Sequence, residues 1–178
     1  MIRETEDGDL NDILDVEKRA FGYEKEAQLT SLLLKDISGE PILSLMAFHD
    51  GQPVGHVLFT RVTLEGMDNC PLMYILAPLA VKPEYQQRGI GGLLIRYGLG
   101  RLAEMGSEIV FVLGHMEYYP RYGFIPDAGK LGFEAPYPIP LKHADAWMVQ
   151  ALTPKGLDDL KGRIVCADSL NRLEHWRE

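Results

Sequence analysis

Amphipathic helical segments occupy the first part of the chain. Residues 9–22 carry apolar side chains at helical spacing, with Asp9 or Asn11 available to cap a helix and Gly22 suited to end it. Residues 24–36 repeat this pattern with leucines on one face. The sequence therefore predicts two consecutive helices.

Strand-like segments follow. Two apolar stretches flank Asp50 and Gly51, a pair that suits turns needing positive φ, and so predict a hairpin. Residues 72–81 are apolar on both faces, which is typical of a central, buried strand. They lead into a helix from about Gly89 to Met105, after which residues 108–113 predict another buried strand.

Shorter segments complete the pattern. Residues 1–4 predict a short first strand, residues 145–152 a late strand and residues 162–167 one more. Two helices and a hairpin thus precede a strand–helix–strand unit. This order indicates a mixed α/β class with a partly antiparallel sheet.

Composition limits the classes of protein that fit. The 178 residues suffice for one domain with a full core, and the 46% of hydrophobic residues are typical of a globular protein. The net charge of −8 argues against nucleic acid as a partner. The first ten residues are acidic, and no apolar run approaches the roughly 18 residues of a membrane span. We therefore expect a cytoplasmic protein with no membrane partner.

Cysteine and several histidines are interpreted as structural. Cys70 lies in a polar turn and Cys166 in an apolar run, and no C-x-x-C spacing exists, so we expect neither a metal site nor a disulfide framework. His49 and His56 flank the hairpin turn, and we expect both to face solvent or to fill the sheet surface.

The segment Tyr85–Leu94, YQQRGIGGLL, joins the central strand to the long helix. Its position leaves several backbone N–H groups free at a helix N-terminus, where these donors and the helix dipole favour an anion. Gly89 and Gly91 would let a phosphate reach the backbone without meeting a Cβ, and Arg88 adds a positive charge. We therefore expect a phosphate, and more specifically a diphosphate, at this N-terminus.

Two known phosphate motifs do not fit this segment. It has no Gly-Lys-Ser/Thr of a P-loop, and a dinucleotide fingerprint would need glycine where Leu94 stands. The alternative to an anion site is a helix start whose glycines merely permit tight packing. Arg88 and the side-chain donor Gln86 or Gln87 favour the anion site.

Residues Leu79–Ile95 resemble the acyl-CoA-binding segment of the GCN5-related N-acetyltransferases (GNAT), whose loop Gln/Arg-x-x-Gly-x-Gly/Ala is matched by Gln86, Gly89 and Gly91. Downstream, YYPRYGF resembles the Tyr-x-x-x-Gly-Phe ending of that family, with Tyr119 in the tyrosine position. The resemblance implies an α+β fold whose mixed, mostly antiparallel central sheet has splayed central strands and is flanked by helices. It also implies one domain over residues 1–178, in which about 125–178 form the variable C-terminal part.

The resemblance implies acetyl-CoA as the co-substrate and no metal. The diphosphate would bind the backbone around Gly89, and the pantetheine arm would run beside the central strand, as if adding a strand. Pro78 fits a bulge or splayed pairing there, although a simple strand end is the alternative. The expected cofactor-binding residues are Leu79, Ala80, Val81, Gln86, Gln87, Arg88, Gly89, Ile90, Gly91 and Gly92.

The resemblance further implies direct transfer, in which an amine attacks the thioester within a ternary complex. Tyr119 matches the tyrosine that protonates the leaving thiolate as general acid, the alternative being a packing residue. His115 is a candidate general base, the alternative being an ordinary surface histidine. Carboxylates near the expected acceptor site are Glu24, Glu26 and Glu117.

Three functions from different classes remain open in the sequence. The first is an N-acetyltransferase acting on a small amine or a protein amino group. The second is a non-catalytic acyl-CoA-binding or sensor domain, and the third is an interaction module that binds no nucleotide. Residues Phe133–Trp147 form either a wall of the acceptor site or a plain connecting loop. The late strand leaves both a monomer and a homodimer open.

Overall fold

The computed structural model describes residues 1–157 and 159–176 of the chain. Within them lie the α-helices α1 (Leu10–Phe21), α2 (Lys25–Leu33) and α3 (Ile90–Glu104). The strands are β1 (Ile2–Glu4), β2 (Leu43–His49), β3 (Gln52–Leu64), β4 (Met73–Val81), β5 (Ile109–Leu113), β6 (Phe133–Glu134), β7 (Trp147–Ala151) and β8 (Gly162–Val165). All of these except β6 lie where the sequence predicts them. β6 has two residues, too few for an alternating pattern to be visible.

One sheet runs through the molecule in the order β1-β2-β3-β4-β5-β7. Neighbouring strands in this order are antiparallel except β4 and β5, which are parallel and are connected by α3. β8 pairs with the far end of β3 and with β6. This mixed, mostly antiparallel sheet flanked by helices confirms the expected fold class. No helix in the described part of the chain is long and apolar enough to cross a bilayer.

Successive side chains of each strand point to opposite faces of the sheet, and they pack into two apolar cores, one on each face. On one face, α3 packs its buried residues Leu94, Ile95 and Leu102 against the sheet. The ring of Phe59 fills the space where a Cβ of Gly98 would stand, so this glycine permits close helix–sheet contact. On the other face, the sheet meets α2 and the C-terminal segment, which is the part of the chain after β8 and contains the buried Trp176.

β4 changes its pairing halfway along its length. Met73–Leu76 pair with β5. The pairing with β3 continues to Val81 after a register shift opposite Val57–Phe59. Pro78 lies within this irregular stretch, so the strand bulges there and does not end. Among the described residues, the β5 side of β4 is therefore unpaired beyond Leu76, which is the expected splay of the central strands.

The prediction for the two hairpin histidines was right for His49 and wrong for His56. His49 is exposed, whereas His56 is completely buried. His56 faces α1, which supplies the carboxylate of Glu17 as a hydrogen-bond partner, and Ser44 of β2 supplies a second. A buried imidazole is tolerated where its ring nitrogens find such partners.

Candidate active site

The loop before α3 has the backbone conformation that an N-terminal anion site needs. Gly89, the residue before the helix, has a left-handed φ of 82°, and no atom lies within 4 Å of the place of its missing Cβ. Gln87 also has a positive φ, of 62°. The N–H of Leu93 donates to the carbonyl of Gly89 at 3.0 Å. Three N–H groups therefore precede the helical hydrogen-bond ladder, those of Ile90, Gly91 and Gly92.

Side chains of the loop have separate tasks. Gln86 donates from Nε2 to the carbonyl of Val81 at 2.9 Å, which ties the loop to the end of β4. The guanidinium of Arg88 stacks over the ring of Tyr85, with 5.3 Å from Cζ to the ring centroid. Arg88 is exposed, so its charge is available beside the free N–H groups.

Gly91 and Gly92 are needed for packing against two tyrosines. A Cβ at Gly91 would stand 2.5 Å from the hydroxyl oxygen of Tyr118. A Cβ at Gly92 would collide with the hydroxyl and ring of Tyr122. The tight-packing interpretation thus holds at these two glycines, while open space in front of the backbone occurs at Gly89.

A cavity of about 660 Å³ opens where β4 and β5 separate. Its size is within the range of small-molecule sites. One wall consists of Ile75–Leu79 of β4, and the segment Leu113–His115 after β5 forms the wall beside it. Tyr119 lines the same cavity. Ala80 and Val81 continue β4 beyond it and remain paired with β3.

Tyr119 is held in place by its neighbours. Its ring packs edge-on against Tyr118 and Phe124, at centroid distances of 5.1 and 5.8 Å, and occupies the space above Gly114. Its backbone N–H donates to the carbonyl of His115 at 3.2 Å. Burial raises the pKa of Tyr119, and Tyr118 raises it further. The phenol therefore keeps its proton near neutral pH and can act as a proton donor.

The candidate bases separate into two groups. His115 and Glu26 both line the cavity. Glu117 is exposed and lies outside the cavity wall, and Glu24 makes an exposed ion pair with Lys18 at 3.0 Å. The structure thus brings only His115 and Glu26 of these four together with Tyr119.

The later part of the chain closes the other side of the cavity. Of the segment 133–147, four residues line it, namely Ile139, Pro140, His143 and Ala146. The segment is therefore a cavity wall and not a plain connecting loop. Sequence reasoning missed the wall residues beyond β8, which are Leu170, His175 and Trp176. A tryptophan within a polar terminal stretch was the available signal.

Trp176 fixes the C-terminal segment to the rest of the protein. Its ring packs edge-on against Trp147 at 5.4 Å, and its Nε1 donates to the carbonyl of Leu170 at 2.9 Å. Lys25 of α2 donates from Nζ to the carbonyl of Glu174 at 3.2 Å. The segment is thus anchored on both sides of the cavity.

Neither the two cysteines nor a cluster of metal-binding side chains contributes to this site in the described part of the chain. Cys166 is buried, and burial raises the pKa of its thiol. Cys70 accepts a hydrogen bond from the backbone N–H of Leu64 at 3.2 Å. In the portion of the chain that the structure describes, no cluster of three or more His, Cys, Asp or Glu side chains is arranged to hold a metal ion.

Relatives of the chain share both its sequence and its fold. The N-acetyltransferase YjhQ of Escherichia coli K12, itself uncharacterised, is 56% identical over 164 residues, which are 92% of this chain and 90% of YjhQ. The crystal structure of the GNAT N-acetyltransferase YhbS from Escherichia coli in complex with CoA aligns with a TM-score of 0.86 and 29% identity, covering 97% of this chain and 92% of that one. A GNAT acetyltransferase from Brucella melitensis in complex with acetyl-CoA aligns with a TM-score of 0.74 and 29% identity, covering 96% and 97%.

A match to a family sequence model establishes to which family the chain belongs. The acetyltransferase (GNAT) domain matches residues 1–126, which include the glycine-rich loop, the splayed strands and Tyr119. The chain therefore belongs to the GNAT acetyltransferase family.

Proposed function

We propose that this protein is an acetyl-CoA-dependent N-acetyltransferase that moves the acetyl group directly to a primary amine in a ternary complex. One observation carries the proposal: Tyr119, whose phenol keeps its proton near neutral pH, lines the same cavity as the unpaired side of β4 around Pro78. A thioester bound along that edge would have a general acid beside its sulfur.

The cofactor would bind at three places on the chain. Its diphosphate would accept hydrogen bonds from the N–H groups at the start of α3, with Gln87 and Arg88 beside it. Its pantetheine amides would pair with backbone groups of Leu79 and Val81 on the free side of β4, as in β-strand addition, with Ala80 between them. The CoA and acetyl-CoA complexes of the two structural relatives support this cofactor.

The chemistry would then follow from the groups around the thioester. The neutral amine forms a bond to the acetyl carbonyl carbon, and a tetrahedral intermediate results. Its collapse breaks the carbon–sulfur bond, and Tyr119 protonates the departing thiolate. His115, which lines the cavity, would accept the proton that the amine loses. CoA thiol and an acetylated amine are the products.

Thiol release is the direct test of turnover. Wild type with acetyl-CoA and a panel of amines is expected to release free CoA in an amine-dependent manner. Tyr119→Phe should lower kcat about 100-fold or more with unchanged acetyl-CoA affinity, because general acid catalysis contributes that much. Tyr97→Phe, at an exposed position on α3, is the matched control. Equal rates for Tyr119→Phe and wild type would remove the acid role.

The alternative function is a non-catalytic acyl-CoA sensor, which the absence of an established base leaves open. Such a protein would bind acetyl-CoA and release no thiol with any amine.

The acidic chain and the absence of a long apolar run also lead us to propose a cytoplasmic location without nucleic acid or membrane partners. The assembly state to be tested is either a monomer or a homodimer.

A second experiment tests the diphosphate site. Arg88→Ala should weaken binding of acetyl-CoA in calorimetry and leave binding of S-acetyl-pantetheine, which lacks the diphosphate, unchanged. Arg19→Ala, whose side chain pairs with Asp15 on α1, is the control. Equal weakening for both thioesters would contradict a diphosphate contact.

A further inference from the structure

Glu26 has a carboxylate oxygen that lacks a hydrogen-bond partner among the described residues. It lies in the first turn of α2 and lines the cavity. Its Oε2 is buried and has no hydrogen-bond partner among the described residues. A buried carboxylate oxygen without a donor is costly, so a donor brought by a ligand would be favoured.

Among the described residues that line the cavity, no cation forms an ion pair with Glu26. Lys25 lines the cavity too, but its Nζ donates to the carbonyl of Glu174 in the C-terminal segment. His175 lies nearby, and burial lowers its pKa, so the imidazole is largely neutral at pH 7. The unpartnered Oε2 of Glu26 therefore favours a positively charged donor.

The wall of the cavity also has an apolar part. Phe21, Leu29, Ile139 and Trp176 line the same cavity. An acceptor that fits would combine a positively charged donor with an apolar body, since each part then meets a complementary surface. The volume of about 660 Å³, which must also hold the thioester end of the cofactor, favours a small molecule over a protein chain.

We infer that Glu26 binds the ammonium group of the acceptor, and that the acceptor is a small cationic amine with an apolar body. This inference rests on the proposed transferase function and names its substrate class. Glu26 accepts a hydrogen bond from the ammonium and orients the amine in the cavity. It thereby discriminates amines from neutral alcohols of the same shape.

Binding of unreactive amines tests the inference apart from turnover. The probes are N,N-dimethyl-2-phenylethylamine and N,N-dimethylbutylamine, which are protonated at pH 7 and cannot form a stable amide. Each is compared with its alcohol, 2-phenylethanol or 1-butanol, by calorimetry on the protein saturated with CoA. Wild type should bind at least one amine more tightly than its alcohol, and Glu26→Gln should weaken that amine about tenfold or more. Affinity for acetyl-CoA should not change.

Glu24→Gln is the matched control, because Glu24 lies two residues away and outside the cavity. Equal affinity of Glu26→Gln and wild type for the amines overturns the inference, as does the lack of any preference for amine over alcohol in wild type. Charge-dependent amine binding without thiol release from acetyl-CoA would keep the ammonium site and reject the transferase. Thiol release by Glu26→Gln with an unchanged KM for the amine would support the transferase function and reject the ammonium site at Glu26.

Discussion

His56 Nδ1 lies 2.7 Å from Oε2 of Glu17, and this contact joins β3 to α1 inside the protein. On its other side, Nε2 of His56 lies 2.8 Å from Oγ of Ser44 on β2. Thr5 donates to the same Ser44 oxygen at 2.8 Å. The serine, histidine and glutamate resemble a hydrolase triad in composition, but none of them lines the cavity. We therefore assign them to stability.

Removal of the imidazole should destabilise the fold strongly. His56→Ala leaves the carboxylate of Glu17 buried without its partner, which costs about 3–5 kcal/mol for a buried pair. Urea unfolding measures the change in the free energy of unfolding. His49→Ala, at the exposed end of the same hairpin, should change it by less than about 0.5 kcal/mol. A similar small change in His56→Ala would contradict the structural role.

Asp36 should make stability depend on pH in the acid range. Burial alone would raise the pKa of this carboxyl, but hydrogen bonds from Ser38 and from the backbone N–H of Ser169 outweigh it and lower the pKa to about 2. Because the folded-state pKa lies below the unfolded value, the stabilisation is present above pH 4 and is lost as the pH falls towards 2.

The matching variant is Asp36→Asn, compared with wild type in urea unfolding at several pH values. At pH 7 the variant should be less stable by about 1 kcal/mol, allowing for partial screening by solvent. The difference should shrink between pH 4 and pH 2. A difference that stays constant with pH would count against a charged Asp36 in the folded state.

Gly91 and Tyr118 should be coupled in a double-mutant cycle. Gly91→Ala places a Cβ against the Tyr118 hydroxyl and should destabilise by about 1–3 kcal/mol through overpacking. Tyr118→Phe removes that oxygen, and the next ring atom lies 3.7 Å away, an ordinary contact. The double variant should therefore recover much of the loss.

Gly100→Ala is the control on the same helix. Nothing lies within 4 Å of its missing Cβ, so the substitution should stabilise by about 0.5–1 kcal/mol through helix propensity. If Tyr118→Phe did not relieve Gly91→Ala, the steric explanation for this glycine would fail.

The acid role of Tyr119 predicts a pH profile. Its pKa is raised by burial and by Tyr118, so the phenol stays protonated above its usual range. We expect kcat to show no loss from this group below about pH 10, the ordinary value for tyrosine. A profile measured with a saturating amine tests this, and a fall near pH 8 that disappears in Tyr119→Phe would contradict it.

Local signals in the sequence predicted most of the elements and the open backbone at the start of α3. Apolar residues at helical spacing predicted α1 to α3, and apolar stretches bounded by turns predicted the long strands, because these patterns extend over many residues. The buried state of His56 was missed because its partner Glu17 lies 39 positions away and no local pattern reports such a pairing. Gly91 was interpreted only as a place where a phosphate can reach the backbone. Its packing against Tyr118 was missed because a sequence does not reveal which side chain lies above a glycine.

The wall of the cavity formed by the later part of the chain was harder to predict for a related reason. Residues such as His143 and Trp176 reach it through irregular segments with no periodicity. Their positions depend on contacts such as that between Trp147 and Trp176, which join distant parts of the chain.

The wall formed by the C-terminal segment has a consequence for how such a protein can diverge. The cavity residues from Ile139 to Trp176 lie beyond the family match, which ends at residue 126. Insertions or replacements there would reshape one wall of the cavity and leave the walls formed by β4, β5 and α2 in place. This wall can therefore vary separately from the part of the chain that the family model covers.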